Sequence, residues 1–321
     1  MKIGLFTPLF HDLPRREVFA YCRQLGLDAV EMCSGALVKP EHCDPDVLLN
    51  SPSELQKLKD ELEEHQLFIS QLNCAGNPVS PIPGEAKRHH EGFEKTVLLA
   101  EKLGVHTIAA FSGCPGGGPK DETPNWITCP WPDEFVPMLR YQWEDVLIPY
   151  WTKAAAFAQD HGVTEIGLEM HPGFCVYNPE TLLKLRAAVG DTIGSNFDPS
   201  HLFWQGIDIP QAIVILAKAI FHVHAKDTRV LTSNIEKNGV LDTKHYGDVL
   251  NRAWVFGTVG FGHGETEWRR IIDTLSMIGY DGVVSIEHED SLKSKKEGLE
   301  LAVSFLKRIV PAEKAGAMWW A

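Results

Sequence analysis

The sequence predicts an α/β fold with a single closed (β/α)8 TIM barrel, and three observations support this prediction. A short apolar run followed by a helical pattern recurs eight times along the chain, which demands a mainly parallel sheet. The segment Phe6–Phe10 follows the first run, where a dinucleotide-binding sheet would carry G-x-G-x-x-G. The length of 321 residues suits one barrel with insertions. We therefore assign residues 1–321 to one domain with a tail at 311–321.

Residues that start and stop helices separate the predicted elements. Asp12 and Pro14 begin the first helix, and Gly26 can end it in the left-handed conformation. Asn178 caps the fifth helix, and Gly104 ends the third. The strands are predicted at residues 3–6, 29–32, 67–73, 105–111, 165–170, 192–198, 220–226 and 283–287. The helices are predicted at residues 12–25, 51–65, 84–103, 142–161, 178–189, 210–217, 264–278 and 291–309.

Two connections are longer than such a barrel requires. They are the loop Ser112–Leu139 after the fourth strand and the loop Asp227–His263 after the seventh. Loops that follow strands lie on the catalytic face of a barrel. The first loop is rich in glycine, proline and tryptophan, so it forms either a lid or pocket wall over the site or an ordered decoration.

The charge balance opposes partners that carry phosphate. The chain has 30 Lys and Arg against 43 Asp and Glu, a net charge of -13, so we expect neither nucleic acid nor membrane as a partner. No apolar run approaches the roughly 18 residues of a membrane span. The first residues also lack the pattern of a secretory leader.

The cysteines and the tail bear on location and assembly. Seven cysteines are scattered without a Cys-x-x-Cys pair, which is typical of a reducing cytoplasm and argues against a zinc-thiolate site. The segment Ala317–Trp320 is unusually apolar for a terminus, so it packs either on a neighbouring subunit or back on its own barrel. We expect a cytoplasmic homo-oligomer.

Four consecutive strands are predicted to end in residues that bind metal ions. In order, from strand five to strand eight, they are Glu169, Asp198, His224 and Glu287. Side chains at the carboxyl ends of barrel strands point toward the reaction centre. Each residue alone has an ordinary alternative role, such as a helix cap or a core hydrogen bond. Three carboxylates at one mouth, however, repel one another and need a cation. The donor set favours Mn²⁺, with Mg²⁺, Co²⁺, Fe²⁺ or Zn²⁺ as alternatives.

The spacing alone leaves open which imidazole of the seventh strand faces this cluster, because His222, His224 and Lys226 share one face. We choose His224 because it is nearer the strand end, and Lys226 then faces the substrate. His171 and His201 lie two or three residues beyond a ligand, so we expect them at the pocket rim, donating to substrate oxygens. The alternative is that His171 and His201 support the ligand carboxylates from outside the metal site.

Other residues are candidates for the pocket on weaker grounds. Asn73 ends the third strand and Glu31 the second, although packing or helix capping is the alternative for both. Arg252 and Arg229 could bind a phosphate or carboxylate, or they are surface arginines. Trp131 belongs to an aromatic set that could stack on a sugar. That set is Phe111, Trp126, Trp131, Trp204 and Trp254.

The strand ends resemble those of the sugar phosphate isomerase/epimerase family with the xylose isomerase-like TIM barrel, which includes ketose 3-epimerases, hydroxypyruvate isomerase and inosose dehydratase. The resemblance extends over essentially the whole chain. Its most specific segments are Glu169–Pro172, Phe197–His201, His222–Asp227 and Ile286–Asp290. The resemblance implies that His171 and His201 contact substrate, and that the metal ligands are Glu169, Asp198, His224 and Glu287.

The resemblance also implies a reaction. A metal would hold the carbonyl and neighbouring hydroxyl of a sugar, and Glu169 or Glu287 would remove the proton beside the ketone to give a cis-enediolate. Return of the proton to the opposite face gives epimerisation, and delivery to the neighbouring carbon gives isomerisation. We therefore expect a divalent-metal-dependent carbohydrate isomerase or epimerase that acts on a small sugar or keto-sugar.

Three alternatives stay open. The same intermediate can lose a leaving group, which would make the protein a lyase or dehydratase acting on a keto-inositol or a 3-keto-glycoside, and the two long loops favour a substrate of that size. An endonuclease IV-like DNA-repair enzyme would need more histidine ligands and a basic groove, which the acidic balance opposes. A sugar-binding protein without turnover is the last alternative.

Overall fold

A computed structural model describes residues 1–313, 316, 318 and 320 of the chain. Its strands are β1 (Lys2–Phe6), β2 (Ala29–Cys33), β3 (Phe68–Asn73), β4 (Thr107–Phe111), β5 (Glu165–Glu169), β6 (Ile193–Phe197), β7 (Ile220–Ala225), β8 (Asp227–Val230), β9 (Trp254–Gly257) and β10 (Val283–Ile286). Eight of these form a closed parallel barrel in the order β1, β10, β7, β6, β5, β4, β3, β2. The predicted (β/α)8 barrel is confirmed.

The helices surround this barrel. They are α1 (Arg15–Gln24), α2 (Pro45–Leu48), α3 (Pro52–Glu64), α4 (Glu85–Leu103), α5 (Phe135–Arg140), α6 (Ile148–Asp160), α7 (Pro179–Val189), α8 (Ser200–Phe203), α9 (Ile209–Leu216), α10 (Thr232–Asn238), α11 (Glu265–Met277) and α12 (Lys295–Ile309). A π-helical segment, Tyr141–Leu147, joins α5 to α6, and short 3-10 turns occupy Thr7–Phe10 and Ala217–Ala219.

The structure confirms the predicted helix signals at Asn178, Gly26 and Gly104 but not the one at Asp12. The Asn178 side chain accepts from the Thr181 N–H, which closes a capping box at the start of α7. Gly26 and Gly104 have φ values of 67° and 68°, the left-handed region in which glycine ends a helix at least cost. Asp12 does not cap α1; its carboxylate lies 2.8 Å from the Lys295 ammonium instead.

The connection after β7 has secondary structure of its own, which the sequence patterns did not predict. Strand β8 pairs antiparallel with β9, and α10 lies between them in the chain. The buried Asp227 carboxylate accepts from the backbone N–H groups of Gly260 and Gly262 and from Trp268 Nε1, at 3.0 to 3.1 Å. These bonds fasten the connection to the barrel rim.

The connection after β4 is ordered by polar side chains from neighbouring elements. Gln142 Nε2 donates to the Pro115 carbonyl at 3.2 Å and to the Asn125 carbonyl at 2.6 Å. The Asn77 amide donates to the Cys114 carbonyl at 2.9 Å and accepts from the Cys114 N–H at 3.0 Å. Buried backbone groups of a loop need such partners because they have lost contact with water.

Three expectations concern the periphery of the barrel. None of the described helices is long and apolar enough to cross a membrane. The seven cysteines are free thiols, of which Cys129 is exposed. The predicted packing of the tail depends on Ala317 and Trp319, which lie outside the described residues.

Candidate active site

The carboxyl ends of the barrel strands enclose a cavity of about 550 Å³. Glu169 is the last residue of β5, and His224 is the last but one of β7, whereas Asp198 and Glu287 directly follow β6 and β10. Each of these four side chains offers one donor atom, and the four atoms all lie within 4.8 Å of one another. The structure thus brings the four sequence-predicted ligands to one point.

Two buried atoms of this cluster make no hydrogen bond of normal geometry among the described residues, although they lie close to each other. They are His224 Nδ1 and Glu287 Oε2, which lie 2.9 Å apart. Glu169 Oε2 lies 3.4 Å from the same His224 nitrogen. Burying a polar atom without a partner is costly, so the arrangement fits a cation that these donors could share.

Asp198 is held in place by the residue that starts the next helix. Its Oδ1 accepts from the Ser200 N–H at 2.8 Å, and its Oδ2 accepts from the Ser200 hydroxyl at 3.0 Å. Burial raises the pKa of Asp198 to about 6 in the metal-free protein. A cation placed near this carboxylate would therefore stabilise its ionised form.

The two histidines of β7 have different surroundings. His222 Nε2 lies 3.0 Å from the Ser70 hydroxyl, and His222 Nδ1 lies 3.0 Å from Gln71 Nε2 and from Asn196 Oδ1. Both of its ring nitrogens therefore have partners outside the cluster, whereas His224 Nδ1 lies among the ligand carboxylates, 2.9 Å from Glu287 Oε2. Proximity to the cluster singles out His224.

His171 and His201 both line the cavity. His171 Nδ1 donates to the Pro172 carbonyl at 2.6 Å, so its Nε2 is the free acceptor. His201 Nε2 is also without a hydrogen-bond partner among the described residues and lies 3.2 Å from Glu169 Oε1. Burial lowers the pKa of His171 to about 3 and that of His201 to about 4. Both rings are neutral near pH 7.

Lys226 and Asn73 line the same cavity. Lys226 is 3% exposed, and its ammonium lies 2.7 Å from Glu289 and 3.3 Å from Glu287. Burial opposes ionisation of Glu287, but the charges of Lys226 and then His224 outweigh it and lower the pKa of Glu287. Burial, and then repulsion by Glu287, raise the pKa of Glu169. The two glutamates are therefore not equivalent.

Two predicted substrate contacts lie outside this cavity. Arg252 is buried; it donates to the carbonyls of Trp254 and Lys244 and stacks on the rings of Tyr246 and Trp254. It therefore braces the connection after β7. Trp131 is 73% exposed. Among the described residues, no part of the connection after β4 lines the cavity, so this loop is not a wall of the pocket here.

Sequence reasoning missed most of the aromatic lining. The rings in the cavity wall are Phe6, Phe111, Tyr246 and Phe256, and only Phe111 was among the sequence candidates. Phe6 could have been found as the last residue of the first strand. Tyr246 and Phe256 reach the cavity only because the connection after β7 folds back over the barrel.

Glu31 does more in the structure than pack in the core or cap a helix, which were the ordinary roles considered for it. Its Oε2 lies 2.8 Å from His224 Nε2, and its Oε1 accepts from Asn73 Nδ2 at 2.9 Å. Burial alone would raise the pKa of Glu31, but the charge and hydrogen bond of His224 outweigh it and lower the pKa. The feature of the sequence that could have indicated this role is a carboxylate near the end of a barrel strand.

Solved structures share this architecture. The chain is similar to a D-tagatose 3-epimerase-like protein, with a TM-score of 0.63 and 19% identity over 96% of this chain and 98% of that one. It is also similar to IOLI protein with a bound zinc atom, with a TM-score of 0.64 and 20% identity over 99% of this chain and 100% of that one. At these identities the likeness shows the fold.

Sequence comparison identifies the family. The chain is 41% identical over 313 residues to Uncharacterized protein YfiH of Bacillus subtilis (strain 168), covering 97% of this chain and 99% of that protein. A family model described as xylose isomerase-like TIM barrel matches residues 19–309. This chain belongs to the xylose isomerase-like TIM barrel family.

Proposed function

We propose that this protein is a divalent-metal-dependent sugar isomerase or epimerase that moves a proton beside a ketone. The observation that carries the proposal is the convergence of four donor atoms within 4.8 Å of one another, two of which are buried and make no hydrogen bond of normal geometry among the described residues. The isomerase and epimerase names of the structural relatives support the same class of reaction.

A divalent cation would be held by the three carboxylates Glu169, Asp198 and Glu287 and by His224 Nδ1. This mostly oxygen set favours Mn²⁺, with Mg²⁺, Co²⁺, Fe²⁺ and Zn²⁺ as further candidates. When bound, the cation would polarise the substrate carbonyl and stabilise the negative charge that develops as the neighbouring carbon loses its proton.

The positions of Glu169 and Glu287 suit proton transfer from two sides. Strands β5 and β10 are separated in the barrel by β6 and β7, so the two glutamates approach His224 from different directions. One carboxylate would remove the proton and the other would return it to the opposite face, which gives epimerisation. Return of the proton to the neighbouring carbon would give isomerisation.

His171 and His201 would orient the substrate. The neutral His171 ring offers Nε2 as an acceptor for a sugar hydroxyl, because its Nδ1 donates to the Pro172 carbonyl. Asn73 gives its amide N–H to Glu31 and accepts from the Ala75 N–H, so it would shape the wall more than bind the ligand. The rings of Phe6, Phe111 and Tyr246 would pack on the apolar face of a sugar.

The charges of the cavity favour an uncharged substrate. Lys226 is the only lysine or arginine among the described residues that line it, and its ammonium is already paired with Glu287 and Glu289. Arg229, another candidate for an anionic group, is paired with Asp290 at 2.6 Å. A phosphate or carboxylate on the substrate would therefore meet no unpaired lysine or arginine among the described lining residues, and we propose a neutral keto-sugar or keto-polyol.

Solvent exchange tests this proposal. Metal-stripped protein reloaded with Mn²⁺ is incubated with neutral keto-sugars in heavy water, and deuterium incorporation is followed by NMR and mass spectrometry. Exchange should require the metal, be slower with the matching sugar phosphates, and be lost in Glu169→Gln and Glu287→Gln. Glu63→Gln, an exposed position on α3, is the matched control. Exchange that persists in both active-site variants would refute the proposal.

The same experiment separates the alternatives. Epimerisation and isomerisation conserve the mass of the substrate apart from deuterium, whereas a lyase or dehydratase splits or dehydrates a keto-glycoside or keto-inositol. A DNA-repair activity would appear as cleavage of a damaged duplex. Sugar binding without exchange under every metal would indicate a binding protein.

A further inference from the structure

We propose that Glu31 is a positioning residue for the metal ligand His224. By accepting the Nε2–H of His224, Glu31 would direct the Nδ1 lone pair of that ring toward the cation. The inference rests on the proposed metal site, but it concerns a residue of β2 that lies outside the ligand cluster.

The geometry around Glu31 fixes the direction of its hydrogen bonds. Glu31 is fully buried, and its Oε2 lies 2.8 Å from His224 Nε2. Its other oxygen accepts from the Asn73 amide at 2.9 Å. An ionised carboxylate can only accept, so the hydrogen between Glu31 and His224 belongs to the imidazole. Nδ1 is then the nitrogen that remains for a metal.

One other polar group lies near His224 Nε2. The Asn196 amide nitrogen is 3.2 Å from it and also 3.2 Å from Glu169 Oε2. The Asn196 carbonyl oxygen accepts from Gln71 Nε2 at 3.1 Å, which fixes the orientation of the amide. Because a carboxylate is the stronger acceptor, the Asn196 N–H is directed to Glu169, and the shorter contact of His224 remains that to Glu31.

Glu31, His222 and His224 also present close donor atoms that resemble a second metal site. The atoms of this group are already engaged, however. Glu31 Oε1 and Oε2 face Asn73 and His224, and the His222 nitrogens face Ser70, Gln71 and Asn196. A cation there would have to break each of these bonds. We therefore assign this group to support of His224 and not to metal binding.

The effect of Glu31 on the ligand is twofold. A carboxylate on the far nitrogen holds the imidazole in one tautomer and ring orientation, and it makes the other nitrogen a stronger donor to a metal. Loss of such a partner typically weakens metal affinity by about 10- to 100-fold.

Glu31→Gln is the informative variant because an amide has one acceptor where the carboxylate has two. If the new carbonyl keeps the bond from Asn73, the new NH₂ group faces His224 Nε2 and favours the tautomer with hydrogen on Nδ1. The matched control is Glu61→Gln. Glu61 is also a buried glutamate, 8% exposed, whose carboxylate is bound 2.7 Å from Arg15 Nε on the outer side of the barrel.

Two measurements test the inference on the full chain. In a chelator competition with Zn²⁺ alone, Glu31→Gln should bind about 10- to 100-fold more weakly than wild type, and Glu61→Gln should match wild type. In ¹⁵N-histidine NMR of Zn²⁺-loaded wild type, His224 should carry its hydrogen on Nε2 and none on Nδ1. The second measurement needs no variant, so a hydrogen on Nδ1 would overturn the inference even if Glu31→Gln does not fold.

Each outcome has a distinct meaning. Zn²⁺ binding by Glu31→Gln within twofold of wild type would overturn the role of Glu31 and leave the proposed metal site intact. A hydrogen on Nδ1 of loaded wild type would overturn both the role of Glu31 and the assignment of His224 Nδ1 as a ligand. Failure of wild type to bind Zn²⁺ would overturn both.

Discussion

Two neighbouring polar groups inside the barrel mouth differ in how their atoms are satisfied. The ligand cluster at the strand ends contains His224 Nδ1 and Glu287 Oε2, which are buried without a hydrogen-bond partner in the described part of the chain. In the group beside it, both nitrogens of His222 and both oxygens of Glu31 are bonded to protein atoms. Both groups contain histidine and glutamate, so residue type alone does not separate them.

This difference in hydrogen bonding distinguishes a metal-binding site from the residues that support it. Unsatisfied buried donors and acceptors are rare in folded proteins, and here two of them lie 2.9 Å apart at the ends of different strands. A cation would satisfy both at once. The atoms of the satisfied group already have hydrogen-bond partners and need no cation. This group therefore stabilises the orientation of neighbouring side chains instead.

The largest effect should come from removing a residue of the unsatisfied group. His224→Ala is expected to weaken Mn²⁺ affinity by at least about 100-fold, since even loss of an outer partner costs about 10- to 100-fold. Isothermal titration of metal-stripped protein measures this. His106→Ala, an exposed histidine, should bind Mn²⁺ like wild type. Unchanged affinity in His224→Ala would erase the proposed distinction between the two groups.

Metal removal should lower the stability of the wild type. At a free metal concentration 100 times Kd, binding to the folded state alone adds about 2.7 kcal/mol to the free energy of unfolding. Chelator treatment should remove that increment, as measured by urea unfolding. The increment should be absent in His224→Ala, and an equal increment in that variant would place the stabilising ion elsewhere.

Within the satisfied group, His222, unlike Glu31, should affect stability and not metal binding. His222→Ala removes the hydrogen bonds of its ring with Ser70 and Gln71, each of which keeps one other partner. The loss of the two bonds should cost about 2 kcal/mol, while one Mn²⁺ is still bound per chain. Urea unfolding of the metal-stripped proteins measures the cost. The exposed His106→Ala should lie within about 0.5 kcal/mol of wild type. Loss of Mn²⁺ binding by folded His222→Ala would contradict the assignment.

The smallest effect is expected at Ser200, which orients the ligand Asp198. Ser200→Ala removes the hydroxyl bond to Oδ2 but keeps the backbone bond to Oδ1. Loss of one hydrogen bond worth about 1 kcal/mol should weaken Mn²⁺ binding by about fivefold. Isothermal titration resolves this change. If the Mn²⁺ affinity of Ser200→Ala were as low as that of His224→Ala, the orientation of Asp198 would depend entirely on the Ser200 hydroxyl.

Much of the fold could be predicted from local pattern. Apolar runs of four to seven residues, separated by helical periodicity and by stops such as Gly26 and Gly104, marked all eight barrel strands. The convergence of Glu169 and Asp198 with the later ligands follows from topology, because parallel strands bring their carboxyl ends to one face. That inference needs no knowledge of side-chain contacts.

The remainder depended on long-range contacts that local pattern does not contain. Glu31 and His224 are 193 residues apart in the chain, and their bond follows from the closure of the barrel. Arg252 was a plausible anion ligand until the fold turned its guanidinium onto the backbone carbonyls of its own loop. Trp131 was expected in the aromatic wall, but the path of a long loop, and not its composition, decides where its side chains lie.

The most direct test of the metal centre is the number of ions bound by each chain. Metal-stripped full-length protein is titrated with Mn²⁺, and free and bound ion are separated by electron paramagnetic resonance. We expect one tightly bound Mn²⁺ per chain in wild type and in His222→Ala, and none in His224→Ala. Two ions per chain, or one ion that survives in His224→Ala, would contradict the account.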